Sequence, residues 1–456
     1  MARKVFISVL GSTNYGTCKY EFKEKGFISQ DVRFIQEATL QMLNAKEWGN
    51  NSAGYICVTT EGNKASYKVN WHDDGHVNYE TNEIIRCQGL KTRLDMLSLP
   101  FKVEAIAVED GKTKEEVWKV FTNVICLLKE HDELYIDITH GFRYLPMLLI
   151  VLSNYAKFLK NIKVKSITYG NYEARKDGIA PIVEITSFSV LQDWTSAANE
   201  YVEYGRTKKI SKLIIEDSES NIEDSKSFIE NLKEIEGVFI TCRSKQIKSG
   251  KVFNKFNEYL KGFKNQTKIE PLVPILEKIS KANTSFNNNG NLLNVCAAID
   301  WCYNNNLLQQ AITMGQELIL SIFIDLLPDI DERIKTKKNF RTAINALLTN
   351  DKVFNREVNW HESMLEYESF LVKAMSNKIF ESFRQKETQS LINKQAVSLY
   401  IAFTELRNKI NHGGVTDDVS YNQFEEGFIE FYLKLLDKCK EHGFRYESSI
   451  VRSEER

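Results

Sequence analysis

"YIDITHGFRYLP", residues 135–146, decides how this chain is read. It opens as a strand, Tyr135-Ile136-Asp137-Ile138, and then sets Thr139, His140, Gly141 and Arg143 close together. Pro146 and the apolar run "MLLIVLSNYAKFL" follow, so a helix begins where the polar cluster ends. A buried-looking strand that ends in hydrogen-bonding groups just before a helix is one unit of a parallel α/β sheet. Ligands collect at the carboxyl ends of such strands.

The same alternation extends in both directions. "KVFISVLG" (4–11), "GYICVTT" (54–60), "FKVEAIAV" (101–108), "ELYIDIT" (133–139) and "VKSITYGNYE" (164–173) read as strands. "SQDVRFIQEATLQMLNAKEW" (29–48), "KTKEEVWKVFTNVICLLKEHD" (112–132) and "YLPMLLIVLSNYAKFLK" (144–160) read as helices. Trp118, Phe121 and Leu127 stand at helical spacing and are expected in the core. Residues 1–187 are therefore expected to be a Rossmann-like domain with a parallel sheet. Residues 188–285 are charged and helix-compatible, a helical linker or insertion with a Lys-rich stretch at 245–268 that reads as a solvated face. The Asn-rich "NTSFNNNGN" (283–291) is the best linker candidate, and helix patterns dominate 286–456. The expected fold class is α/β plus all-α.

Bulk properties narrow the function. With 60 basic and 61 acidic residues the net charge is −1, which gives no global pull toward nucleic acid or anionic membrane, so any nucleic-acid site must be local. The 8 Cys form no CxxC and none pairs with His at metal spacing, so free thiols in a reducing cytoplasm and no metal site are expected. His72 and His76 in "VNWHDDGHVNYE" read as part of a polar loop. The apolar run at the start ends after Leu10, too short for a signal peptide, and no window is long and apolar enough to span a membrane.

Two strand-end turns carry the chemistry. "LGSTNYGTC" (10–18) offers Gly11 for a tight turn, then Ser12, Thr13, Asn14 and Tyr15 with their main-chain N–H donors. Such a loop cradles a phosphate, although Gly11 and Gly16 do not make a dinucleotide fingerprint. Thr139, His140, Gly141 and Arg143 supply a second set, with His140 and Arg143 as cationic donors and Gly141 permitting close approach. An anion-binding site is the expectation, ahead of a catalytic role for His140 or Asp137. The plain alternative is a capped turn with a surface ion pair.

"DITHGFR" resembles the DxTHGF signature of the CARF–HEPN accessory ribonucleases of type III CRISPR systems. "VFISVLGSTNYG", "RFIQEA", "TKEEVWKVF" and, in the helical part, "WCYNNNLLQQAITMGQELI" (301–319) look like the same family. The resemblance covers most of the chain except roughly 207–285. It implies a dimeric N-terminal CARF domain sensing cyclic oligoadenylate, with cyclic tetra-adenylate the expected ring, through Gly11, Ser12, Thr13, Asn14, Tyr15, Thr139, His140, Gly141 and Arg143. It implies a C-terminal HEPN domain that cuts single-stranded RNA, within a homodimer or higher homo-oligomer.

That expectation needs an Arg and a His a few residues apart, and "RNKINH" (407–412) supplies Arg407 and His412, with Asn408 and Asn411 between. RNA is cleaved without a metal when its 2′-OH attacks the adjacent phosphate. His412 moves protons near neutral pH, and Arg407 stabilises the phosphorane charge. Asn408 and Asn411 would orient the pair or touch the phosphate. Arg and His at this spacing do not share one helical face, so a bend or a site shared between two copies is needed to converge them. A second match, "REVNWH", runs from Arg356 to His361, where the spacing carries no evident meaning unless it is the working site; 407–412 is preferred, and a helix C-terminal cap is the plain reading of Arg407 and His412. Two competing functions remain: a non-enzymatic nucleotide-sensing regulator that binds DNA or protein, and a CARF domain that itself degrades the cyclic ligand.

Overall fold

β1 (Lys4–Val9) lies inside the N-terminal sheet, parallel to β4 (Ala53–Thr59) on one side and to β8 (Glu133–Asp137) on the other. The computed structural model describes residues 2–61, 65–73, 76–77, 84–85, 87–140, 144–217, 222–267, 270–286, 290–325, 331–335, 337–349, 399–412, 419–441 and 443–450. Beyond β4 lies β7 (Val103–Val108), and beyond β8 lies β9 (Lys163–Gly170), both parallel. The chain thus builds β1, β4 and β7 outward in one direction, then returns to the other side of β1. Alternate residues of β1 face opposite layers. Val5, Ile7 and Val9 pack with α3 (Lys114–Leu127) and α4 (Tyr144–Lys160), while Phe6 packs with the layer holding Phe34, Leu90 and Leu94. Helices on both faces make this a doubly wound sheet.

The structure departs from the sequence reading at one edge. β2 (Lys19–Phe22), β3 (Phe27–Ile28) and β10 (Ile179–Glu184) extend the sheet to eight strands in the order β3-β2-β10-β9-β8-β1-β4-β7. β10 runs antiparallel to β9, so the sheet is parallel at its centre and mixed at this edge. The expected helix over 29–48 shrinks to α1 (Ile35–Met42). Its first part pairs with the strand edge instead: Val32 N donates to Cys18 O at 3.0 Å and Ser29 N to Tyr20 O at 2.9 Å. Trp118 is also corrected. It is 57% exposed, while Phe121 is buried.

The chain divides into two compact units, Met1–Gln192 and Asp193–Arg456. All described elements of the second unit after α5 (Thr186–Tyr204) are helical. Two of these helices, Leu308–Asp325 and Leu399–Asn411, are joined where Gln316 Nε2 donates to Thr404 Oγ1 at 2.7 Å. Phe403 presses on Gly315 so closely that a Cβ there would lie 2.5 Å from its ring. Gly205 has φ +63°, and a Cβ would lie 1.9 Å from the Trp301 ring. Gly205→Ala is therefore expected to destabilise the helical unit by about 1–3 kcal/mol, through both strain and overpacking. Thermal unfolding followed by far-ultraviolet circular dichroism measures this, and an unchanged melting profile would contradict it. Among the described residues, no helix is long and apolar enough to cross a membrane.

Candidate functional site

The reversal of strand order falls between β1 and β8, so the loops leaving these two strands open onto one crevice. They are the 10–17 segment and, among the described residues, 138–140. Register places Ser8 beside Asp137, and both carry fully buried polar side chains. Ser8 Oγ donates to Asp137 Oδ2 at 2.7 Å, and Gln36 Nε2 on α1 donates to Ser8 Oγ at 3.0 Å. The other carboxylate oxygen takes the Thr139 hydroxyl and, at 3.3 Å, the Thr139 N–H. Thr139 Oγ1 accepts from Gly170 N at 2.8 Å. The motif's Asp and Thr are thus bonded into the framework that shapes the turn.

The two loops touch through rings. Tyr15 and His140 lie with centroids 4.3 Å apart, and Tyr15 meets Phe34 edge-on at 5.8 Å. Gly11 is required by this packing, since a Cβ would lie 2.1 Å from the Tyr15 hydroxyl. Burial lowers the pKa of His140 to about 4. This corrects the sequence reading of His140 as a cation: near neutral pH it offers one donor and one acceptor without charge. Ser12 is half-buried and Thr13 and Asn14 are exposed. Gly141 and Arg143 lie outside the described residues.

Sequence reasoning missed what holds this loop. Asn70, fully buried in a wide π-helical turn (Tyr67–Trp71), donates to Gly11 O at 2.8 Å and Thr13 O at 2.9 Å. Arg33 donates to Asn70 Oδ1 at 3.2 Å, Tyr15 O at 3.4 Å and Gln88 O at 3.0 Å. A buried amide and guanidinium therefore fix three carbonyls of the loop, which leaves its N–H groups to other partners. The only signal available was an Arg inside an otherwise amphipathic segment. His72 rests edge-on against Tyr67 at 4.7 Å, and among the described residues no group of His, Cys, Asp and Glu is placed to hold a metal.

Burial raises the pKa of Asp137 to about 6, against hydrogen bonds from Ser8 and Thr139 that lower it. An acid raised in the folded state contributes its stability below its unfolded pKa and loses it as pH rises through the folded value. Folding should therefore lose about 3 kcal/mol from this group between roughly pH 4 and pH 6. In Asp137→Asn that part of the slope should vanish. Chemical denaturation of both proteins across this range measures it, and parallel profiles would rule the carboxyl out.

In the helical unit, Arg407, Asn408 and Asn411 lie in the last turns of Leu399–Asn411, and His412 follows, its N–H donating to Asn408 O at 2.9 Å. Asn408 Oδ1 accepts from Arg407 Nη2 at 2.7 Å, which bends the guanidinium back along the helix. Asn411 Oδ1 accepts from Gln309 Nε2 at 2.8 Å. Gln309 is another residue that sequence reasoning passed over. Asn411 and His412 are exposed, and among the described residues no hydrogen bond or ion pair joins Arg407 to His412. Arg356 and His361, the rival match, lie outside the described residues.

Residues 5–173 fit the family described as CRISPR system endoribonuclease Csx1, CARF domain. The CRISPR-associated protein MJ1674 of Methanocaldococcus jannaschii is 34% identical over 111 residues, 24% of this chain and 18% of that protein. The match thus spans less than a fifth of that relative's length. A structure of Enterococcus italicus Csm6 bound to cyclic hexa-2′-fluoro-hexa-dAMP aligns over 97% of both chains, at 11% identity and a TM-score of 0.39.

Proposed function

We propose that this chain, whose residues 5–173 match the CARF domain of the Csx1 family, is an accessory protein of type III CRISPR systems and an endoribonuclease switched on by cyclic oligoadenylate. The observation that carries the sensing half is the meeting of the 11–15 and 139–140 loops at the switch point, inside the matched region. Their polar groups would hold the activator, the neutral His140 as a donor and acceptor to base or ribose. Gly141 and Arg143 belong to the same proposed set. Residues 1–187 would be the sensor, 286–456 a HEPN ribonuclease domain, and 188–285 the helical segment between. A soluble defence enzyme of the cytoplasm is what this reading implies.

The cutting half rests on Arg407 and His412. His412 would move the proton on the attacking 2′-OH and the leaving 5′-oxygen, and Arg407 would meet the charge that develops on phosphorus. The products would be a 2′,3′-cyclic phosphate and a 5′-OH. Because Arg and His at this spacing do not share one helical face, a two-fold pair of chains would build the site, and a cyclic activator of matching symmetry would favour one arrangement of that pair. An exposed apolar stripe on α4 supports pairing. Met147, Val151, Tyr155 and Phe158 lie on one side of it, and Phe158 is 85% exposed.

The test is cleavage of a fluorogenic single-stranded RNA in EDTA, without activator and with cyclic tri-, tetra- and hexa-adenylate. Cutting that requires one ring size and survives EDTA is the expected result, with the tetramer expected to be active. Silence with every ring would remove the ribonuclease and leave a ligand-binding regulator.

A further inference from the structure

Within the helical unit lies a cavity of about 500 Å³ that the activator and the Arg407/His412 segment do not use. Its walls are the end of α5 with the following turn, and the loop Asn305–Leu307. Both walls are held in tight backbone shapes: Gly205 has φ +63° against Trp301, and Asn306 has φ +59°. The volume is that of a pocket for one small molecular unit. Tyr204, 49% exposed, presents its ring at the wall. Asn199 and Asn306 add amides that both donate and accept.

Two cations line the same cavity, and they differ. Lys209 Nζ is committed to Glu200 Oε2 at 2.8 Å, so it offsets that carboxylate. Arg206 reaches Glu236 only at 3.7 Å, and its side chain is more than half exposed. Its planar fork suits one phosphate. An aromatic ring, amides and a single guanidinium are the means by which proteins hold one nucleotide of a single strand. Placement gives the direction. Leu307 of the cavity wall runs straight into the helix that begins at Leu308, and Gln309 in its first turn holds Asn411 beside His412.

We infer that this cavity is a subsite for one nucleotide of a single-stranded RNA whose chain continues to Arg407 and His412. Tyr204 stacks on the base, Arg206 takes one phosphate, and the asparagines meet the base or sugar edges. The inference rests on the ribonuclease reading for its substrate, but the binding experiment separates the two.

The probe is a fluorescein-labelled 2′-O-methyl RNA, which lacks the attacking hydroxyl. Its anisotropy is followed on the full chain with and without cyclic tetra-adenylate. Tyr204→Ala should weaken binding about tenfold, with Tyr204→Phe restoring it. Arg206→Ala should lower the slope of log affinity against log salt by about 0.7, a change that a merely structural role would not produce. Variants that bind with wild-type affinity and slope would overturn the subsite, even in a protein that cuts RNA. A wild-type protein that binds the probe through these residues yet cuts no native RNA would leave the subsite standing and remove the ribonuclease. Absence of probe binding in wild type would overturn the subsite.

Discussion

His412→Ala is expected to reduce activator-dependent RNA cleavage by about 10³-fold or more, and Arg407→Ala by about 10²-fold or more. The two losses should not add in the double variant, because both groups serve one transition state. Folding should be spared in the first case, since His412 is exposed beyond the end of its helix. Arg407 is half-buried and bonded to Asn408, so its variant needs a melting profile beside the activity. Asn411→Ala should cost less, roughly tenfold, because its side chain is tied to Gln309 and acts by holding the end of the helix. Gln309→Ala would then reproduce most of that loss. The decisive control is Arg356→Ala/His361→Ala. If it abolishes cleavage while Arg407→Ala/His412→Ala does not, the working pair is the other one. Activator binding should stay unchanged in all of these variants, which separates a failed cut from a failed signal.

The central sheet was legible because its strands are short apolar runs that end in Gly or in polar clusters, and helices separate them. Val5, Ile7 and Val9 can be assigned to a face by alternation alone. The edge was not legible. "KYEF" in β2 is polar and brief, and Pro181 argues against β10 as a strand. Trp118 shows a different limit. Helical spacing correctly groups it with Phe121, and the two rings do meet at 5.6 Å, yet spacing says nothing of what covers the face. The candidate ligand loops were readable as strand ends, since doubly wound sheets place ligands there. Their supports were not. Asn70 sits in a stretch that looks like a polar loop, and only the fold carries it under Gly11 and Thr13. His140 looks cationic in sequence, and its burial against Tyr15 makes it neutral.

Val151→Asp/Phe158→Asp is expected to convert the proposed dimer into monomers and to lower RNA cleavage at nanomolar protein by about 10²-fold or more. Both residues are exposed, at 61% and 85%, so the charges should leave the fold of the sheet domain intact. Their effect must come through something that covers this face. A continuous apolar stripe along α4, flanked by the exposed Trp118, is costly to leave in water, and a second copy would bury it twice over by symmetry. On the proposed reading, dimer loss should also weaken activator binding, because a ring shared by two copies would lose half its contacts. Sedimentation velocity, activator titration and the cleavage assay together distinguish the cases. A variant that stays dimeric places the interface elsewhere. A variant that is monomeric yet cuts as fast as wild type would mean that one chain converges Arg407 and His412 by itself. The shared site would then be abandoned, and the side-chain arrangement in which Arg407 bends back onto Asn408 would have to open within a single copy.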